Sequence, residues 1–325
     1  MRSNPVNHLP FPRIMLAPLS GISSLPFRII NREAGCKLAF LEMICARSLS
    51  YRSKKTLTMM TSNSHDRPLG VQLLGNEIYY ILKAIEKIKD YKYDILDFNA
   101  ACPYKKITKQ GKGAALLKEP KKLQILLAAI VKEVKLPVSV KLRLGWENAK
   151  NAVNIAKHAQ DSGVRAICMH GRTRVQGYQG EVDYCAIKKV KEALGIPVIA
   201  SGNIWSASLA KKMFEETGCD AIMVARGALG NPWIFKEIEE FLATGKILAR
   251  PSAKEVLATM KRHLDLCIDF YGEKSGITNF RKFYIWYTRG FSKTKPLRVS
   301  VSRTNTKIQM LELIDKFIAT AVINQ

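Results

Sequence analysis

Eight short apolar runs rich in β-branched residues recur along the chain: RIMLAP (13–18), KLAFLEM (37–43), PLGVQLLG (68–75), DILDFNA (94–100), PVSVKLRL (137–144), RAICMHG (165–171), IPVIASG (196–202) and DAIMVAR (220–226). Between them lie stretches of helical period, such as 77–91, 121–134, 149–163 and 206–218. Strands that alternate with helices run parallel and are joined by crossovers. Eight such units in ~230 residues predict an α/β fold, a closed (β/α)8 TIM barrel rather than an open sheet.

From about residue 245 the alternation stops. The segment that follows opens on LARPSAKEVLATMKRHLDLCIDFYG, with Pro251-Ser252 as the helix start, and it has helical period without strand candidates. The expected organisation is a barrel over 1–244 followed by a smaller all-α domain over 245–325. With 47% hydrophobic and 24% charged residues, the composition suits one large core plus a lesser one. No run of ~18 apolar residues occurs, so no membrane span is expected. The opening MRSNPVNHLPFPRIML lacks the apolar stretch and cleavage site of a secretory signal. The cysteines (Cys36, Cys45, Cys102, Cys168, Cys185, Cys219, Cys267) are odd in number, dispersed and without a C-x-x-C pair. That argues against a disulfide framework and a structural zinc site, and for a reducing cytoplasm.

Charge supplies the next constraint. Lys+Arg number 52 against 27 Asp+Glu, a formal +25, and such a field attracts polyanions. From Arg281 to Lys307 there are eight Lys/Arg and no acid, interleaved with Phe283, Tyr284, Trp286, Tyr287 and Phe291. Basic residues among aromatics suit nucleic acid, although some of these rings are expected to face a core.

Barrel active sites form at the C-terminal ends of the strands, which turns the strand list into a site list. The ends read Ala17-Pro18-Leu19-Ser20, Glu42, Gln72, Asn99 with Cys102, Lys141 with Arg143, His170 with Arg172, Ser201-Gly202-Asn203 and Ala225-Arg226-Gly227. Polar groups gathered at one mouth point to a ligand, because they would lack partners in an apolar core. The ends of strands 7 and 8 suit a phosphate, through backbone N–H groups and the Arg226 guanidinium. The alternative is that Gly202, Gly227 and Gly230 only permit tight turns. Lys141 and Arg143 share a face of strand 5, so they call for an anionic or electron-rich partner, and a reduced flavin is one. NAACP (99–103) ends strand 4 in a small-residue turn that presents Cys102. Filler, nucleophile and acid are open roles for that cysteine, whereas the cysteine spacing argues against a metal ligand. The stretch PYKKITKQGKGAALL (103–117) carries Lys105, Lys106, Lys109 and Lys112 without an acid, and reads as a mobile basic loop over the mouth.

These residues resemble the tRNA-dihydrouridine synthase family, most of all its bacterial B-type subgroup. The likeness runs through MLAPLSGISSLPFR, QLLGN, NAACPYKKITKQGKGAALLKEP, VKLRLGW, MHGRTRVQGYQGEVDY, IASGNIWS, ARGALGNPWIF and RKFYIWYTRGFSKTKPLR, about residues 12 to 300. The resemblance implies an FMN-dependent enzyme that reduces uridines in tRNA to 5,6-dihydrouridine with NADPH, on a TIM barrel followed by a helical tRNA-binding domain. It implies flavin contacts at Pro18, Leu19, Ser20, Gln72, Lys141 and His170, and a phosphate on Ser201-Gly202-Asn203 and Ala225-Arg226. Asn99, Arg143 and Arg172 fall where the family handles the uracil or the RNA, and Lys105, Lys106, Arg281 and Lys282 are further expected tRNA contacts. Ala100 and Ala101 stand where the family often has Met-Gly, Asn203 where aspartate is common, and Leu19 where methionine is common.

For that reaction, a thiol of ordinary pKa near ~8.5 is mostly protonated at neutral pH and can act as a general acid. A nucleophilic cysteine instead needs a lowered pKa and a partner base. Cys102 is therefore expected to protonate uracil C5 after hydride addition at C6, on a uridine flipped out of its stack. Competing readings are another FMN barrel acting on a small molecule of dihydroorotate or enoate type, and a non-enzymatic RNA-binding protein. No metal is expected, and a monomer is the working expectation for the assembly.

Overall fold

All eight expected strands form. In the computed structural model, residues 11–289, 291 and 294–322 are described; residues 1–10, with most of the N-terminal stretch read above, 323–325, and Gly290, Ser292 and Lys293 of the basic segment lie outside that description. The order is β1 (Ile14–Leu16), α1 (Leu25–Glu33), β2 (Ala39–Cys45), α2 (Ala46–Ser50), α3 (Lys54–Met59), β3 (Leu69–Leu74), α4 (Ile78–Ile88), β4 (Ile95–Asn99), α5 (Lys105–Thr108) and α6 (Pro120–Glu133). It continues with β5 (Val138–Arg143), α7 (Ala152–Asp161), β6 (Ala166–His170), α8 (Tyr184–Ala193), β7 (Val198–Ser201), α9 (Ala207–Thr217), β8 (Ala221–Val224) and α10 (Ile234–Thr244). The helices α11 (Ala253–Tyr271), α12 (Glu273–Tyr287), α13 (Lys295–Ser300) and α14 (Lys307–Val322) follow.

The strands pair in parallel in the order β1-β8-β7-β6-β5-β4-β3-β2. The Leu16 N–H donates to the Leu38 carbonyl at 2.9 Å, which bridges β1 to the entry of β2 and brings the sheet round to a nearly closed barrel. Because side chains alternate along a strand, the apolar runs divide between two cores. Leu16, Leu41, Val71, Leu96, Val140, Ile167, Val198 and Ile222 pack outward in the cluster shared with the helices. Met15, Phe40, Ile95, Ala166, Cys168, Ile199, Ala221 and Met223 form a separate cluster inside the barrel. Gly70 is required there, since a Cβ would sit 2.3 Å from the Phe40 ring.

Local signals set the helix ends. The expected start at Pro251-Ser252 is a capping box: Ser252 Oγ accepts from the Glu255 N–H at 3.3 Å, and the Glu255 carboxylate accepts from the Ser252 N–H at 2.8 Å, satisfying two of the first-turn donors. Helix α9 starts on Ser206, whose hydroxyl accepts from the Leu209 N–H, and ends on Gly218 at φ +64°, the left-handed position that favours glycine. On α1, the Arg28 guanidinium is fully buried against Asp66 at 2.7 Å and ties that helix to the connection between α3 and β3.

The C-terminal helices seat on α1 and on the loop after β8. Phe27 of α1 stacks on Phe283 of α12 at 5.4 Å. Gly230 has φ +73°, and a Cβ there would lie 2.4 Å from the Trp286 carbonyl, so only glycine allows α12 to approach. Phe283, Tyr284 and Tyr287 are buried; most aromatics of the basic stretch are therefore spent on the core.

The lysine-rich segment after Cys102 is folded, contrary to the mobile loop expected. It forms α5 and a 3-10 turn over Gly113–Lys118, with Thr108, Lys112, Ala114, Leu116 and Leu117 buried. The physical reason is its second half: GAALL brings apolar side chains that pack beneath the cationic first half. Among the described residues no helix is long and apolar enough to cross a membrane.

Candidate active site

Climbing β4 and β6, the inward positions change from apolar to polar, and on β5 they are polar throughout. On β4 they are Ile95, Asp97 and Asn99; on β5, Ser139, Lys141 and Arg143; on β6, Ala166, Cys168 and His170. The polar upper ends surround a cavity of about 770 Å³, inside the ~300–1,000 Å³ range of small-molecule sites. Pro18, Leu19, Ser20, Gln72, Asn99, Cys102, Lys106, Lys141, Arg143, His170, Ser201, Gly202, Asn203, Ala225 and Arg226 all line it.

A hydrogen-bonded chain sets the Cys102 side. Buried Asp97 accepts from Ser139 Oγ at 2.5 Å and from Gln72 Nε2 at 2.7 Å. Burial raises the Asp97 carboxyl above its ordinary value, opposed by those two bonds and by Lys141. Gln72 Oε1 accepts from Asn99 Nδ2 at 2.8 Å. With its donor fixed in that way, Asn99 turns its oxygen to the backbone N–H groups of Ala101 at 3.1 Å and Cys102 at 2.9 Å. Each bond of this kind is worth about 1 kcal/mol net, and together they fix the turn that presents the thiol. Ala100 and Ala101 are themselves buried, and Ala101 lines the cavity. Burial raises the Cys102 thiol above its ordinary value, against the smaller opposing effects of the Tyr104 backbone and Arg143. The thiol is therefore protonated at neutral pH.

The other side carries cations and glycines. Lys141 Nζ donates to Ser201 Oγ at 3.1 Å and to Cys168 Sγ at 3.3 Å, which holds it at mid-floor. His170 Nδ1 lies 3.3 Å from Ser201 Oγ, and its Nε2 is buried without a partner. Burial, then Arg143, Lys141, Arg172 and Arg226, depress its pKa well below the usual histidine range, so the ring is neutral. After β7 the backbone turns sharply through Gly202 (φ +129°) and Asn203 (φ +52°), a conformation that can present successive N–H groups to an anion. Asparagine tolerates the left-handed region better than most residues, which accommodates Asn203, and its Oδ1 accepts from Arg172 Nη2 at 2.9 Å. The Arg226 guanidinium lies over the rings of Tyr178 at 5.2 Å and Trp205 at 5.0 Å.

The remaining sequence candidates are placed differently. Arg143 lines the cavity, but its guanidinium donates to the carbonyls of Ala101 (2.8 Å), Thr173 (2.8 Å) and Gly177 (2.6 Å). Burial lowers its pKa to about 10, which leaves it cationic while it ties the Cys102 turn to the loop after β6. Arg172 is buried against the carbonyls of Gln179 and Gly180 and does not line the cavity. Lys105 is exposed on α5, while Lys106 reaches the cavity wall. Arg281 bonds the Thr304 carbonyl at 2.7 Å. Lys282 donates to the Gly21 carbonyl, and the Gly21 N–H donates to Glu42, so α12 grips the loop that follows Pro18–Ser20. Sequence reasoning did not find Asp97, Tyr178 and Trp205, nor assign Trp286 to the cavity. An acid inside an apolar strand was the available signal for Asp97; the aromatics reach the mouth from loops and α12, and only the tertiary fold brings them there. Among the described residues, no cluster of three or more His, Cys, Asp or Glu could hold a metal.

Comparison with known proteins places this geometry. The model of the dihydrouridine synthase (Dus) family matches residues 15–323. The chain is 37% identical over 303 residues to tRNA-dihydrouridine synthase B of Xanthomonas axonopodis pv. citri, covering 93% of this chain and 91% of that protein. It is 38% identical over 314 residues to a probable tRNA-dihydrouridine synthase of Rickettsia bellii, covering 96% of each. Among solved structures, histamine dehydrogenase from Rhizobium sp. 4-9 shares the fold at TM-score 0.55 and 13% identity, over 78% of this chain and 49% of that one, about half its length. With a family match along nearly its whole length and relatives aligned end to end, the chain belongs to the dihydrouridine synthase family.

Proposed function

We propose that this protein reduces uridines in tRNA to 5,6-dihydrouridine, using FMN bound in the barrel mouth and NADPH as electron donor. The observation that carries the reading is the place of Cys102: a thiol whose backbone N–H is held by Asn99, on the wall of a cavity whose other wall bears phosphate-type loops, with burial raising its pKa. In the strand order, β4 stands across the barrel from β8, which separates a proton donor from an anion site by the width of the mouth.

The residues fit FMN. The orphaned Nε2 of His170, the Lys141 ammonium and the Gln72 amide supply polar partners for a flavin edge. Pro18, Leu19 and Ser20 would wall the ring, and Ser201-Gly202-Asn203 with Ala225-Arg226 would hold the phosphate. When bound and reduced, FMN supplies the hydride that adds to uracil C6. Negative charge then gathers on C5 and O4 of the base, and Cys102 gives C5 its proton. Lys106, Trp286 and Arg289 at the rim border the opening through which a flipped uridine would enter. The barrel, residues 1–244, carries the chemistry, and the helices of 245–325 read the tRNA.

The flavin assignment is testable at Gly202. A Cβ there would come 2.8 Å from Val182 Cγ2 and 3.3 Å from His170 Cε1, at φ +129°. The purified protein is expected to release FMN on denaturation. Gly202→Ala is expected to retain about tenfold less, from strain of roughly 1–3 kcal/mol, read as the ratio of flavin to protein absorbance at unchanged circular dichroism. A colourless wild-type protein would remove the flavin reading, and full retention in the variant would remove this loop from the phosphate site.

A further inference from the structure

Outside the cavity, a tyrosine cluster with no part in the chemistry above stands on the surface. Tyr51 and Tyr79 are 68% and 60% exposed. The rings of Tyr79 and Tyr80 meet edge to face at 5.2 Å, and Tyr51 and Tyr80 lie 6.0 Å apart with their hydroxyls at 3.3 Å. The Arg47 guanidinium sits 4.9 Å from the Tyr80 ring and Lys83 Nζ 4.5 Å from the Tyr79 ring. Single exposed aromatics are ordinary, whereas a contiguous group points to an interaction site.

Its position is specific. Helix α2 begins at the residue after β2, and Tyr79 and Tyr80 lie in the first turn of α4, just after β3. Both elements therefore stand at the C-terminal ends of the strands, the end that carries the cavity. Asn76, between β3 and α4, donates to the Gln110 carbonyl at 2.8 Å, so the cluster adjoins the segment bearing exposed Lys105, Lys106 and Lys109. Charge selects the partner: between Glu42 and Asp66 there is no acid, and Arg47, Arg52, Lys54 and Lys55 are all exposed. Glu77, beside Tyr80, offsets one of these charges; exposed π faces beside the remaining cations match a single-stranded nucleic acid, whose bases stack and whose phosphates pair with the cations. In the C-terminal basic stretch, Phe283, Tyr284 and Tyr287 are buried and closed to such stacking.

We propose that Tyr51 and Tyr79 form a stacking shelf for an unpaired base of the substrate tRNA, outside the cavity, with Arg47, Arg52, Lys54 and Lys55 along its phosphates. The proposal rests on tRNA being the substrate. The test uses the full-length, FMN-loaded protein and an unmodified tRNA transcript at fixed salt. Tyr51→Ala/Tyr79→Ala is expected to raise Kd and KM for tRNA about tenfold or more, with kcat at saturating tRNA and flavin content unchanged. Tyr51→Phe/Tyr79→Phe keeps the π faces and is expected to bind within about twofold of wild type, and Arg47→Ala/Arg52→Ala to reduce the salt dependence of Kd. Wild-type Kd in the alanine pair, or equal loss in the phenylalanine pair, overturns the shelf while leaving tRNA reduction standing. A wild-type protein that neither binds nor reduces tRNA overturns the substrate reading itself.

Discussion

Cys102→Ala is expected to slow uridine reduction at saturating tRNA by about 10²–10⁴-fold, the usual contribution of a positioned general acid. Bound flavin and its reduction by NADPH should stay at wild-type levels. The separation is expected because Asn99 holds this turn through the backbone N–H groups of Ala101 and Cys102, bonds that survive loss of the thiol. Gly113, whose Cβ would meet the Cys102 carbonyl at 2.8 Å, packs against the same backbone in both proteins. The pH profile carries a second signature. An acid must be protonated to act, so activity is present below its pKa and lost as pH rises through it. Burial raises the Cys102 pKa, so the alkaline limb of kcat should lie above the ordinary thiol range and disappear in the alanine variant. A variant with wild-type turnover would remove Cys102 from the chemistry; one without flavin would make it structural.

Arg28→Met should destabilise the fold by about 3–5 kcal/mol, the range for breaking a buried ion pair from one side. Both partners are fully buried. The guanidinium makes bonds of 2.9 and 2.7 Å to Asp66 and donates to the carbonyls of Ser23 (2.6 Å) and Thr61 (2.9 Å). Methionine fills the volume and satisfies none of them. Asp66 keeps Arg32 at 3.0 Å, which places the cost toward the lower end. Urea unfolding measures it. Arg28→Met/Asp66→Leu should recover part of the loss, because no lone buried charge remains. A midpoint within the error of wild type would show that the pair contributes nothing net.

The barrel was legible because its signal is repeated and long: apolar runs of strand length recur between helical stretches, and each becomes a parallel strand. The mouth was legible through the same register, since knowing where a strand ends says which residues face the opening. Arg143 and Arg172 show where this logic stops. The family resemblance assigns them to uracil or RNA, and their position on a strand says nothing of the carbonyls of the loop after β6 that their guanidinium groups meet. Which carbonyls lack partners depends on loop paths that no spacing encodes. The lysine segment shows a different limit: four cations masked the GAALL turn whose leucines fold it down. Tyr51, just past α2, and Tyr79, on α4, lie far apart in sequence, and only the packing of α2 on α4 brings both to Tyr80.

The most direct measurement mixes the purified protein with NADPH and then with unmodified tRNA while following flavin absorbance. The expected result is bleaching by NADPH, recovery of colour on adding tRNA, and one dihydrouridine formed per flavin reoxidised in a single turnover without oxygen. A protein that bleaches but is not reoxidised by tRNA, or a tRNA recovered without dihydrouridine, would contradict uridine reduction at this site.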